Sequence, residues 1–342
     1  MRGAFQAMKK VYLGLSIAML AIALTACGGN QAANSTATNN STTPAATTTT
    51  AEKPAEEATK QETRAIKYLD KEYTVPSKTD RIVITGSMES MEDALVLGVN
   101  PVGAISVGGK FPQMFAPVTG QAQSIGEKTQ PNLETILSLK PDVILGSSKF
   151  PPEMMEKLGK IKTTFPVSHL STNWESNLLL LGELTGKQAE AQKVIDDYKK
   201  DVDAAKTQLG ESTKDKKVVV IRVRGGSINI YPEKVFFNPS LYADLGFTAP
   251  AEVKAAKAQE VVSLEKFSEM NPDYIFVQFS ADENKDNPNA LEDLQNNPIW
   301  KSINAVKNGK VFVNVVDPLA QGGTAWSKVN FLKAAVEKLS AK

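Results

Sequence analysis

Arg222 and Arg224 stand two residues apart at the end of the apolar run K-V-V-V-I-R-V-R, residues 217–224. In a strand, alternation sends both guanidinium groups to one face. They come just before Gly225-Gly226, at the carboxyl end of the strand, where open α/β sheets bind their ligands. Two planar forks side by side suit an anion that offers several oxygens. Lys149 lies just past another apolar run, 142–145, in the analogous position, and Lys128 falls in the turn Gly126-Glu127-Lys128. Set around one cleft, these charges suit a compact anion. Solvated lysines and a salt-bridged arginine pair are the structural alternatives. The net charge of +1 over 342 residues gives no support to a nucleic-acid partner.

Catalysis is poorly supplied. The chain has no H-E-x-x-H, no G-x-S-x-G, no phosphate-binding G-x-x-x-x-G-K-[ST] and no EF-hand loop. Its one histidine, His169, follows an apolar stretch and reads as structural. One histidine and one cysteine cannot build a transition-metal site or a disulfide, so no metal and no enzyme activity are expected. Two carboxylates are of interest as a pair. Glu134 and Glu265 occupy the same place in two matching segments, N-L-E-T-I-L-S-L-K-P-D-V-I (132–144) and S-L-E-K-F-S-E-M-N-P-D-Y-I (263–275). Each falls early in a short helix, where the dipole favours a carboxylate. Duplicated acidic contacts would also fit a partner with two-fold symmetry. The acidic run 282–293, with its Asn and Pro, reads as a solvated loop.

These residues need elements to hold them. A hairpin is expected at 65–68 and 72–75, strands at 81–85, 101–106, 142–145 and 166–170, and helices at 88–97 and 133–139. After residue 210 the alternation resumes, with strands at 217–224, 273–278 and 310–315 and helices at 239–245, 264–270 and 326–339. Alternating strands and helices predict an α/β fold of two Rossmann-like lobes, each with a mostly parallel central sheet. The lobes are expected at 65–173 and 211–342, linked by helices within 174–210. A break near Thr185-Gly186 divides this connector. Thr185 and Gln188 have the spacing of a capping box. Ile195, Tyr198, Val202, Ala205 and Leu209 then form one apolar stripe that Gly210 stops. A helix over 187–209 spans roughly 34 Å at about 1.5 Å per residue. One rigid helix crossing between the lobes predicts only a small closure on a ligand.

The amino terminus adds an address. Arg2, Lys9 and Lys10 precede an apolar run, 11–24, too short for an ordinary membrane span. It ends in L-T-A-C-G, residues 24–28, which resembles the lipobox of bacterial lipoproteins. That resemblance implies a signal peptide over 1–27, cleavage before Cys27 and lipid on Cys27. Residues 28–64 are almost wholly small and polar and read as a tether. A monomer anchored at the outer face of a Gram-positive cell membrane is expected.

The lipobox and tether, N-L-E-x-I-L-x-L-K-P-D-V-I-L, the helical connector and S-L-E-K-F-S-E-M-N-P-D together resemble a known family. It is the class III, helical-backbone substrate-binding lipoproteins of ABC importers for iron–siderophores, haem and cobalamin. T-G-S-M-E-S-M-E-D-A (85–94), G-K-F-P (109–112), F-P-V-S-H-L-S-T-N-W (165–174), K-A-A-K-A-Q-E (254–260) and D-P-L-A-Q-G-G-T-A-W-S-K (317–328) resemble its ferric-catecholate binders. The resemblance covers residues 65–342 and implies a basic bowl made by Lys128, Lys149, Arg222, Arg224, Lys257 and Gln259. Gly225 stands where such a binder carries a glutamine. Glu134 and Glu265 match the family's contacts to the dimeric permease. The implied ligand is a ferric catecholate of the bacillibactin or enterobactin type. Its iron is held by the siderophore, so the protein needs no cofactor. A triply negative complex of this kind would meet five formal positive charges. A ferric hydroxamate, a citrate-type siderophore or haem on the same fold is the alternative ligand. A siderophore-ester hydrolase is disfavoured by the missing nucleophile–base motif.

Overall fold

A computed structural model describes residues 62–210 and 215–340. The expected signal peptide, Cys27 and residues 28–61 of the expected tether lie outside the described residues. The described residues belong to one compact unit.

The described chain opens with an antiparallel hairpin, β1 (Thr63–Tyr68) and β2 (Lys71–Pro76), so the fold begins slightly before residue 65. The first lobe follows as β3 (Ile82–Ile84), α1 (Met88–Leu97), β4 (Gly103–Ser106), α2 (Ala116–Thr119), β5 (Gln123–Glu127), β6 (Gln130–Pro131), α3 (Leu133–Ser138), β7 (Val143–Ser147), α4 (Pro152–Ile161) and β8 (Thr164–Val167). Its sheet runs β6-β5-β4-β3-β7-β8, parallel throughout except for the short β5–β6 pair. Ile82–Ile84 and Val143–Ser147 are buried along their whole lengths, as expected of parallel strands covered on both faces. Ser87 caps α1 by accepting from Ser90 N, and Gly98 ends it in the left-handed region.

Two helices connect the lobes, α5 (Trp174–Thr185) and α6 (Gln188–Leu209). The second lobe comprises β9 (Val218–Arg224), β10 (Ser227–Ile230), α7 (Ala251–Ala255), β11 (Glu260–Val262), α8 (Leu264–Met270), β12 (Tyr274–Phe279), α9 (Ala290–Asn296), α10 (Pro298–Lys301), α11 (Asn304–Lys307), β13 (Val311–Val313) and α12 (Ala325–Ser340). The helix expected at 239–245 is a π-helical turn over Ser240–Asp244, with Leu245 N donating to Ser240 O. The sheet order is β11-β10-β9-β12-β13. This sheet is mixed. β9, β12 and β13 are parallel, whereas β10 is antiparallel to both its neighbours. The cause is Gly225-Gly226, with φ of +55° and +76°, which makes the two-residue hairpin turn that only such residues allow cheaply.

The repeat seen in the sequence is repeated in geometry. Asn132 and Ser263 cap α3 and α8 by accepting from Thr135 N and Lys266 N. Lys140 and Asn271, each just before a proline, both adopt positive φ, 46° and 44°. Asp142 Oδ2 then accepts from Arg81 N at 2.9 Å, and Asp273 Oδ2 from Lys217 N at 2.9 Å. In both lobes the Pro-Asp pair thus clamps the residue before the neighbouring central strand.

The connector departs from expectation in two ways. Thr185 is no cap for α6. It ends α5, and its hydroxyl donates to Leu181 O at 2.7 Å, while the N-cap of α6 is Lys187 without a side-chain bond. Hydrogen bonding back into its own helix satisfies Thr185 first. In addition, the bridge between lobes is double. α6 places Ala191, Ile195, Tyr198, Val202 and Ala205 in the first lobe's core and Leu209 in a core of the second. α12 does likewise, with Ala325 and Leu332 in the former and Phe331, Ala335 and Leu339 in the latter. A buried knot fastens them. Lys328, 2% exposed, donates to Asp244 Oδ2 at 2.6 Å, and the Tyr198 hydroxyl donates to the same oxygen at 2.7 Å.

Candidate ligand-binding cleft

A cavity of about 380 Å³ opens between the carboxyl ends of the two sheets. The first lobe contributes Glu89 at the start of α1, Glu127 and Lys128 at the end of β5, Lys149 after β7 and His169 after β8. The second contributes Arg222 and Arg224 from β9, Tyr231 after β10, Gln259 before β11, Glu283 after β12 and Gln321 after β13. Strand direction explains the convergence, since parallel strands end on the same side of their sheet. Of the residues singled out in the sequence, Lys128, Lys149, Arg222, Arg224 and Gln259 line this cavity. Lys257 does not. It is exposed on the turn two residues before Gln259, and its backbone N–H donates to Glu260 Oε1 at 3.0 Å. Glu134 and Glu265 are exposed on α3 and α8, away from the cavity wall.

The cations are held by different means. Arg222 is 6% exposed, lies against the Phe236 ring with 5.6 Å from Cζ to the centroid, and donates to Pro318 O at 3.2 Å. Lys128 is half-buried and donates to Gln321 Oε1 at 3.3 Å, a bond across the cleft. Burial pushes the Lys128 ammonium below its usual range; nearby Glu89 opposes the shift, whereas Lys149, Arg222 and Arg224 add to it. Gln259 is committed to the protein. Its amide accepts from the Tyr231 hydroxyl at 3.2 Å and donates to Asn229 Oδ1 at 2.8 Å, so it fixes Tyr231 at the wall.

The expected bowl of positive charge is, in the structure, a balanced one. Lys128, Lys149, Arg222 and Arg224 share the lining with Glu89, Glu127, Asp282 and Glu283. Glu127 is taken up by the adjoining loop: it accepts from Ser106 Oγ, Gly108 N and Gly109 N, and the Gly109 amide chiefly holds its carboxyl below the usual range. Asp282 is exposed, 3.6 Å from Lys285. Glu283 is different. It lies in the run expected to be a solvated loop, yet its carboxylate is 2.7 Å from Arg222 Nε and 3.6 Å from Arg224 Nε. A short 3₁₀ turn, Ala281–Glu283, following β12 brings it back over the β9–β10 turn. His169, expected to be structural, stands in the cleft wall. The Ser148 hydroxyl lies 2.9 Å from His169 Nδ1, and burial, then Lys149, lowers the imidazole's pKa and favours the neutral ring. Sequence reasoning missed Glu283 and His169 because each sits just past a strand end, a position that only the sheet order reveals.

Behind the cleft, α1 grips the start of α12. Glu92 accepts from Gln321 N at 2.7 Å and from the hydroxyls of Thr324 and Ser327. Burial raises its pKa from 4.5 to about 7, with those hydrogen bonds opposing the rise. A carboxyl whose folded-state pKa lies above its unfolded value contributes most at low pH and loses that contribution as pH rises toward 7. Glu92→Gln is therefore expected to remove a stability loss of roughly 3 kcal/mol between pH 4.5 and 7, at about 1.4 kcal/mol per unit. Melting curves of both proteins at pH 5 and pH 8 check this. The variant's advantage should grow with pH, and equal slopes would reject the assignment.

The chain matches the periplasmic binding protein family over residues 83–314. It is 56% identical over 333 residues to the iron-uptake system-binding protein of Bacillus subtilis, covering 97% of this chain and 99% of that one. The crystal structure of the triscatecholate siderophore binding protein FeuA from Bacillus subtilis, complexed with ferri-bacillibactin, superposes with a TM-score of 0.78 at 61% identity, over 81% of this chain and 98% of that one. Staphylococcus aureus SirA complexed with staphyloferrin B gives a TM-score of 0.70 at 25% identity, over 82% and 99%. With more than half its length matched to the family and a relative this similar along nearly all of it, the chain belongs to the periplasmic binding proteins and has their class III fold of two lobes on a helical connector.

Proposed function

We propose that the protein is the substrate-binding component of an ABC importer and captures a ferric catecholate siderophore of the bacillibactin or enterobactin type for iron uptake. The observation that carries this reading is the convergence of Lys128 and Lys149 from one lobe with Arg222 and Arg224 from the other. Such a complex is bulky, rigid and highly anionic, and its iron is already fully coordinated. The lining supplies what that ligand needs, which is cations and donors. The likeness to the ferri-bacillibactin binder supports the same choice. Binding, not catalysis, is the role of the relatives that the chain matches.

In this reading Cys27 carries the lipid, residues 28–61 tether the protein at the outer membrane face, and the protein acts as a monomer. Glu134 and Glu265 dock on the two halves of the permease. Lys257 closes on the ligand from the rim. Its exposure limits its share, so Lys257→Ala is expected to weaken binding by only a few-fold, whereas Lys128→Ala, at a half-buried cation, costs on the order of thirtyfold. Calorimetric titration of both variants checks the order, and a larger effect at Lys257 would contradict it. The reading as a whole is tested by quenching of intrinsic fluorescence with ferri-bacillibactin, ferri-enterobactin and ferrioxamine. Saturable quenching by the two catecholates is the expected result. Tight binding of the hydroxamate alone would move the protein to another ligand class.

A further inference from the structure

The balanced lining raises a question of its own, because a carboxylate sits where an anion is expected to bind. Glu283 bridges the arginine pair, with one oxygen 2.7 Å from Arg222 Nε and the other 3.6 Å from Arg224 Nε. Its side chain is 18% exposed and faces the cavity. Its backbone is fixed independently of that side chain. Gly225 N donates to Glu283 O at 3.1 Å, Gly226 N donates to Asn284 Oδ1 at 3.0 Å, and Asn284 Nδ2 donates to Val223 O at 2.9 Å and Ser280 O at 2.8 Å. The loop therefore stays on the β9–β10 turn while the carboxylate remains free to rotate about its own side-chain bonds. The guanidinium of Arg222 is otherwise held by Phe236 and Pro318 O, so it keeps its place when the carboxylate leaves.

We infer that Glu283 is a built-in counter-anion of the arginine pair, displaced by the oxygens of the incoming ligand, and that it sets the cleft's selectivity for highly charged anions. A carboxylate already in place pairs the buried Arg222 in the empty protein, which a desolvated cation requires, and lies within ion-pair range of the exposed Arg224. An incoming anion must do better than this intramolecular partner. Phosphate, sulfate or a free carboxylate offers little more than Glu283 does and lacks its high effective concentration. A rigid, triply negative complex that also reaches Lys128 and Lys149 on the other lobe offers more and displaces it. Exclusion of weaker anions is thus achieved by an internal competitor, a form of discrimination against the wrong partner.

This inference rests on the siderophore reading for its natural ligand, but its test has an arm that does not. Glu283→Gln keeps the shape and removes the charge, and Glu283→Ala removes the bridge altogether. In the intact chain, E283Q is expected to tighten ferri-bacillibactin binding by roughly tenfold. It should also make that binding sensitive to millimolar inorganic phosphate, which the wild type ignores. Without siderophore, sulfate should raise the melting temperature of E283Q and E283A and leave the wild type unchanged. Unchanged or weaker ferri-bacillibactin binding in both variants, with no new response to sulfate or phosphate, would overturn the proposal. If the wild type fails to bind ferri-bacillibactin while the variants still gain the sulfate response, the ligand assignment fails and the counter-anion role stands.

Discussion

Arg222→Ala is expected to weaken ferri-bacillibactin binding by on the order of a hundredfold or more, the range found when one partner of a buried charge pair is truncated. Two effects add. The variant loses a buried guanidinium placed by the Phe236 ring and Pro318 O. It also leaves Glu283 without its close partner, since Arg224 is 3.6 Å away against 2.7 Å for Arg222. An uncompensated carboxylate then faces the incoming anion. The double variant Arg222→Ala/Glu283→Gln should recover part of the loss, and a double-mutant cycle by calorimetry measures the coupling. A recovery no larger than the roughly tenfold gain expected of Glu283→Gln alone would show that the two side chains do not act on one ligand position. Melting curves separate a binding defect from a folding one, because Arg222 lies within a central strand, two residues from its end.

Reversing both exposed glutamates, Glu134→Lys with Glu265→Lys, is expected to reduce cellular uptake of iron-labelled ferri-bacillibactin at least about tenfold while changing the binding constant less than about twofold. The two residues occupy equivalent places on α3 and α8, both are exposed, and neither has an ion-pair partner among the described residues. Their helices are capped by Asn132 and Ser263 instead, so the glutamates are not needed as caps. Duplicated charges with no internal partner suit a permease made of two equivalent halves. Uptake that survives the double reversal would leave them as favourable first-turn charges and nothing more.

Much of this arrangement is legible in the sequence. Strand alternation is enough to put Arg222 and Arg224 on one face, and the helix at 88–97 ends at Gly98 as its pattern demands. The matched Leu-Glu and Pro-Asp positions lead directly to the duplicated lobe geometry. What is not legible depends on contacts between distant segments. Glu283 sits in an acidic, Asn-rich run whose composition indicates solvent, and only the adjacency of β12 to β9 brings it to the arginines. Gly225-Gly226 reads as the end of a strand, but its two positive φ values start a hairpin that makes the sheet mixed. The role of α12 as a second bridge escapes notice because its apolar residues, Ala325, Phe331, Leu332, Ala335 and Leu339, fit an ordinary amphipathic helix. Their division between two cores becomes visible only in three dimensions. This doubled bridge strengthens the expectation of a small closure on ligand.

The central claim is that charge from both lobes captures a ferric catecholate in this cleft. Its most direct test is the dissociation constant of the intact wild-type protein for ferri-bacillibactin, measured by calorimetry across a salt series. One-to-one binding well below micromolar at low salt, weakening by roughly tenfold or more toward molar salt, is the predicted result. Absence of saturable binding, or an affinity indifferent to salt, would contradict it.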